Sequence, residues 1–216
     1  MKKIESLYPD YDVLALRDEW DANTRTIVNK RLGPFQFQVL SGRQQELVKA
    51  VATQVAVEDR EEVLTWIAAH VDEQLSTAQG ESQRKPGIPP RRELILTGLE
   101  ALDEWAKGKF FKDFLSIKPE QQLEFLELLE VGGLPQENGW DTERQKELFK
   151  KLASLIISAE HSHPWVWSEI GYGGPAYPRG YVRVELGLTD PWEPSLPWIV
   201  ERGKGDDGQR LTAAVL

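Results

Sequence analysis

TERQKELFKKLASLIISAEHSHPWVWSEIGYGGPAYPRGY, residues 142–181, changes character halfway along. In its first half Leu148, Leu152, Leu155, Ile156 and Ala159 recur at three- and four-residue spacing, which is the period of a helix with one apolar face. Thr142 followed by Gln145 has the spacing of a capping box and opens that helix. From His163 onward tryptophan, tyrosine, glycine and proline crowd together with almost no helical period. The first half sets the fold class, and the second raises the question of function.

Toward the N-terminus the helical period repeats. Val13, Leu16, Trp20, Ile27, Val28 and Leu32 form a stripe ended by Gly33-Pro34. Ser41 and Gln44 are a second capping-box pair, ahead of Leu47, Val48, Val51 and Val55. Val63, Ile67, Val71 and Leu75 mark a third helix, and Leu94, Ile95, Leu99, Leu102 and Trp105 a fourth. AQGESQRKPGIPPRR, residues 78–92, lies between these two as a polar connection. After the aromatic connector KFFKDFL, Pro119 suits the first position of a helix carrying Leu123, Leu126 and Leu129 and closed by Gly132-Gly133. The expected fold is therefore mainly α: one helical-bundle-like domain of about six helices with an irregular Gly/Pro/aromatic-rich C-terminal arm. The boundaries are 1–162 for the helical domain, 163–200 for the arm and 201–216 for a mobile tail; VRVEL, residues 182–186, reads as a short strand or extended stretch of the arm.

Composition excludes several functions. The chain has 216 residues and a net charge of -9, the wrong sign for nucleic acid or an anionic membrane surface. With 0 Cys it has no thiolate nucleophile, cysteine-bound metal or covalently attached haem. MKKIESLYPDYDVLALRDEW lacks the apolar run of a signal peptide and a twin arginine, and no apolar run is long enough to cross a bilayer, so the expected location is cytoplasmic, or periplasmic if exported with a partner.

Four constellations could carry chemistry. Gly171-Tyr172-Gly173-Gly174-Pro175-Ala176 fits G-x-G-x-x-A, with Asp190 at ribose-binding distance. A dinucleotide site needs a strand before it and a helix after it, however, and here a helix precedes and prolines follow. Glu160, His161 and His163 combine E-x-x-H with H-x-H. A mononuclear metal site from His161, His163 and Glu169 is conceivable, but a hydrogen-bonded histidine fixing the helix exit is the simpler reading. Ser168 lies near His163 without a nucleophile elbow. Acidic pairs (Glu58 with Glu61 and Glu62, Glu124 with Glu127, Glu143 with Glu147) have the spacing of solvated helix faces. Glu169, between Trp165, Trp167, Ile170 and Tyr172, is expected to be partly buried and paired with Arg179 or Arg183. The rings of Trp165, Trp167, Tyr172, Tyr177 and Tyr181 could stack on sugar, cover the chain's own core or anchor a protein interface. The interleaved prolines and glycines favour a shaped contact arm.

YDVL from Tyr11, WDANTRTIVNKRL from Trp20, HPWVWSEIGYGGPAYPRGYVR from His163 and DPWEP from Asp190 together resemble the gluconate 2-dehydrogenase subunit 3 family. The resemblance implies a small, mainly helical, non-catalytic subunit. Its partner would be a large glucose-methanol-choline (GMC) type flavoprotein that carries FAD and oxidises a sugar or sugar acid, with a cytochrome or other carrier accepting electrons. This chain would hold no cofactor, metal or catalytic residue itself. The expected partner-binding residues are His163, Trp165, Trp167, Glu169, Tyr172, Gly173, Gly174, Tyr177, Arg179 and Tyr181. Two alternatives belong to other classes: a stand-alone metal-dependent enzyme built on His161, His163 and Glu169, and a carbohydrate-binding module.

Overall fold

A computed structural model describes residues 6–77, 84–178, 180 and 190–194. The expected segments 182–186 and 201–216 lie outside the described residues. The fold is mainly helical, and no strand occurs among the described residues. The α-helices are α1 (Ala22–Asn29), α2 (Gly42–Val55), α3 (Glu61–Ser76), α4 (Arg91–Phe110), α5 (Pro119–Val131), α6 (Thr142–Glu160) and α7 (Pro164–Ile170). The described residues gather into two compact units: one lies within Thr26–His163, and the other combines those before Thr26 with those from Pro164 onward.

The N-terminal stripe that reads as one helix is three pieces. Val13–Glu19 and Lys30–Leu32 are 3-10 turns on either side of α1. Asp21 makes the break: its carboxylate accepts the Asn23 and Thr24 amides at 2.9 and 3.2 Å and the Thr24 hydroxyl, as an N-cap does. α4 likewise runs past Gly108 to Phe110, ending where Phe111 turns left-handed at φ 56° and donates its amide to Lys107.

Within the first unit, α2 and α6 each pack against α3, α4 and α5 and against each other. Leu47, Val48 and Val51 on α2 and Leu148, Leu152 and Ile156 on α6 are buried, so the expected stripes do face the core. α4 approaches α6 closely because Gly98 has no side chain: a Cβ there would collide with the Leu148 side chain. Ser41 and Gln44 form the expected reciprocal cap of α2, and Pro119 occupies the first turn of α5.

The connections between helices are tied down by buried polar side chains that stand on otherwise apolar faces. Asp72 of α3 accepts three backbone amides, from Gln38 at 2.9 Å, Val39 at 2.8 Å and Leu40 at 2.7 Å. Asp103 of α4 accepts the Phe114 amide at 3.0 Å and the Arg43 guanidinium at 2.6 Å, while Gln122 of α5 donates to the Phe114 carbonyl. Gln145 is fully buried and bonds Leu134 through both its amide and carbonyl, and also Trp140. Gln145 is therefore a core clip and not the capping-box partner its spacing suggests. Asp141, one residue earlier than Thr142, caps α6 by accepting the Arg144 amide at 2.8 Å. Each clip satisfies loop groups that would otherwise be buried without partners. Asp72→Asn, which turns three charge-assisted bonds into neutral ones and points an amide donor at donors, is expected to cost about 2 kcal/mol in urea unfolding. An unchanged midpoint would mean that water holds residues 38–40 equally well.

Candidate functional site

The end of α6 is held by side chains of its own unit. A helix end leaves carbonyls without intrahelical partners, and donors or a cation there are stabilising. Ala159 O accepts from the Trp66 indole at 2.9 Å and the Ser162 hydroxyl at 2.7 Å. Ser162 O accepts from the Arg31 guanidinium at 2.7 Å. Trp66 is held in turn between Phe35 and His70, with ring centroids 5.8 and 5.5 Å away. His163, the last residue of this unit, is 1 % exposed. Burial pushes its imidazole down to about 4; Arg60 and Arg31 act in the same direction, and Glu58 and Glu62 oppose it. It is a buried histidine at the helix exit, one residue before Pro164.

Glu58, read as part of a solvated face, is only 2 % exposed. It accepts the Asp59 and Arg60 amides at 2.9 and 2.8 Å and makes a two-pronged pair with the Arg60 guanidinium at 2.9 and 2.5 Å. Glu147 is also buried, clamped at 2.7 Å by Lys85, which reaches Glu143 at 3.3 Å as well. The basic stretch at Arg84-Lys85 thus serves the helices, and its spacing alone could not show that.

The second unit contains the arm. Its first residues are not irregular: Pro164 opens α7, and Gly171 closes it at φ 73°. The Tyr172 amide bonds Trp167 O at 2.8 Å and the Gly171 amide bonds Ser168 O at 3.3 Å, the paired bonds of a Schellman cap. The hydrophobic contact that accompanies such a cap is present too, with the Trp167 and Tyr172 rings edge to face at 5.3 Å. Ser168 ties α7 to the N-terminal segment: its Oγ accepts the Val13 amide at 3.0 Å and donates to Pro164 O at 3.1 Å. The Ser6 hydroxyl donates to Glu169 O at 2.7 Å. A Cβ on Gly171 would run into the Tyr8 ring, and one on Gly174 would lie 2.8 Å from Trp20. The run G-Y-G-G is therefore a helix stop over which aromatic rings close, with a helix before it, and not a phosphate cradle. Gly171→Ala is expected to lower stability by about 1–2 kcal/mol from backbone strain alone, measured by thermal unfolding. No loss would show that the cap can rearrange.

The ten residues singled out for partner binding fall into three groups. Trp165, Tyr172 and Tyr177 present 36, 39 and 70 % of their surface to solvent, and the neighbouring Ile170 presents 52 %. His163, Trp167, Gly173 and Gly174 are buried, and Glu169 is half-buried. Arg179 and Tyr181, and the proposed ion-pair partner Arg183, lie outside the described residues.

Neither alternative is favoured. Among the described residues no group of three or more His, Asp and Glu side chains could hold a metal ion. His161 is exposed at the helix end with Nδ1 2.5 Å from the Glu160 carboxylate and 3.1 Å from Ile157 O, while His163 is buried beside cationic groups. Of the rings that could stack on sugar, Trp167 is only 6 % exposed and packs edge to face on Tyr172. Asp190, the would-be ribose acid, opens a turn in which its amide bonds the Glu193 carboxylate at 2.9 Å.

No curated protein and no solved structure matches the chain. One family model does, described as Gluconate 2-dehydrogenase subunit 3, over residues 42–174. The match begins at α2, runs through the bundle and α7, and ends at the glycine that closes over Trp20. It covers more than half of the chain, so the protein belongs to the gluconate 2-dehydrogenase subunit 3 family.

Proposed function

We propose that this chain is a non-catalytic accessory subunit of a sugar- or sugar-acid-oxidising dehydrogenase, docking through the exposed aromatic face of its arm onto a large FAD-carrying subunit of the GMC type. The family supports the coarser part of this reading, since its description names a subunit of a multi-subunit dehydrogenase. The observation that carries the finer part is the exposure of Trp165, Ile170 and Tyr172 on a segment whose backbone is fixed by the Schellman cap and by Ser168, with Tyr177 exposed five residues further on. Rings on a rigid frame lose little conformational freedom on binding, which is how interface anchors gain affinity. FAD and the chemistry belong to the partner, and a cytochrome or another carrier takes the electrons.

An accessory subunit of this kind acts by mass action: it binds the folded catalytic chain and not the unfolded one. Produced alone, the chain should be colourless and oxidise no sugar. Co-expressed with the flavoprotein of its own organism, it should raise that protein's soluble yield. A yield indifferent to co-expression, or sugar oxidation by the isolated chain, would refute the proposal.

A further inference from the structure

The end of α4 carries the most exposed large apolar side chain among the described residues. Phe111 presents 92 % of its surface to solvent, and its backbone is left-handed at φ 56°. That conformation is strained for a residue with a Cβ, which is why helices so often end on glycine. α5 does so, with Gly132 at φ 72°. Phe110 and Phe114 both pack on Phe125, with ring centroids 6.4 and 6.1 Å away, so Phe111 alone of the three phenylalanines in this connector is turned outward. Backbone strain and a hydrated phenyl ring are both unfavourable in the isolated chain, and burial of the ring against a second surface offsets them.

We infer that the chain pairs with a second copy of itself about a two-fold axis, Phe111 of each protomer entering a cleft in the other. The cleft, of about 420 Å³, lies between α4, α5 and residues 133–140. Trp105, Phe125 and Trp140 are its buried floor; Gly108 and Pro135, exposed, and Leu128, half-buried, are the open part of its lining. About 150 Å³ is enough to admit a benzene ring. A two-fold contact requires knob and hole to lie on one patch. Here Gly108 and Lys109, which line the cleft, immediately precede Phe110 and Phe111 at the same helix end. Only the first unit is involved, so this inference stands apart from the docking proposal.

Charge selects this occupant. Lys107 and Lys112 flank Phe111 in sequence, and Glu104 and Glu137 line the cleft. All four are exposed, and none has a side-chain hydrogen bond or ion pair among the described residues. Lys109, the cation in the lining, is held 2.7 Å from Glu124. A two-fold exchange brings the lysines beside each Phe111 toward the carboxylates of the opposite cleft while the ring meets an apolar lining. An aromatic side chain flanked by acidic residues would meet Glu104 and Glu137 with the wrong sign. One patch therefore carries both halves of a matched contact.

The test is sedimentation equilibrium of the full chain alone from about 1 to 100 µM, where the parent is expected to form a reversible dimer with a dissociation constant of roughly 10 µM. Phe111→Gly should weaken that dimer at least about a hundredfold. At concentrations too low for pairing, the same variant should unfold at the parent temperature or above, because glycine relieves the left-handed strain. K107E/K112E and E104K/E137K, altered only at exposed positions, should each be monomeric, and an equimolar mixture of the two should dimerise as the parent does, since every knob then meets the opposite charge. Three results would each overturn the inference: a parent chain monomeric throughout that range, a Phe111→Gly chain that pairs as tightly as the parent, or a mixture no more associated than its two components.

Discussion

A chain carrying both Trp165→Ala and Tyr177→Ala is expected to bind the flavoprotein proposed as its partner about a thousandfold more weakly, because two proposed interface anchors at roughly 2 kcal/mol each amount to some three decades of affinity. The isolated variant should unfold at nearly the parent temperature. Both rings present more than a third of their surface to solvent, and neither is the ring that closes the helix cap. Trp167→Ala provides the contrast. That side chain is buried and packs on Tyr172, so its loss should destabilise the arm itself and weaken binding only through that. Surface plasmon resonance against the purified flavoprotein, with thermal unfolding of each isolated variant, separates the two effects. If the double variant binds normally, the exposed aromatic face is not the docking surface.

The second large effect is a dependence of stability on pH through His163. Its folded-state pKa lies near 4, below the ordinary 6.5. Above pH 6.5 the imidazole is neutral in folded and unfolded chains alike, and its contribution is fully present. As pH falls from 6.5 toward 4 the unfolded chain takes up a proton that the folded chain refuses, so stability is lost across that window. The gap of 2.5 units between those values corresponds to about 3 kcal/mol. His163→Gln cannot titrate, so its stability deficit relative to the parent should shrink by about 3 kcal/mol between pH 7 and pH 4. Chemical denaturation at several pH values measures this directly. Parallel curves for the two proteins would show that His163 accepts its proton in the folded state.

The helical framework was legible because burial imposes a period. Leu148, Leu152 and Ile156 face inward for the same reason that they recur every four residues, and Ser41 with Gln44 announces its cap locally. The clips were not legible. Asp72 differs in no local way from a solvated aspartate until residues 38–40, more than thirty positions away, are known to deliver three amides to it. Gln145 misled by fitting a local rule while bonding Leu134 across a loop. Glu58 was hidden by acidic neighbours that really are exposed.

The arm was half legible. Its aromatic and glycine content announced an unusual segment, and the resemblance it carried is matched as far as Gly174. Its order was overlooked, although the signals were local: Pro164 at the start and Gly171 just past the end bracket a two-turn helix. Seven residues are too few for a period to stand out. The partners that close over Gly171 and Gly174 and tie down Ser168 are Tyr8, Val13 and Trp20, brought in from the other end of the chain.

The central claim is that the exposed rings of the arm are covered by a flavin-bearing polypeptide. The most direct measurement is an affinity pull-down of the tagged full-length chain from its native cells, followed by the visible absorption spectrum of the eluate. The account predicts one large companion subunit and the two-banded spectrum of bound flavin, both lost together in the Trp165→Ala, Tyr177→Ala variant. A chain recovered alone and colourless, or a flavoprotein retained equally by that variant, would contradict it.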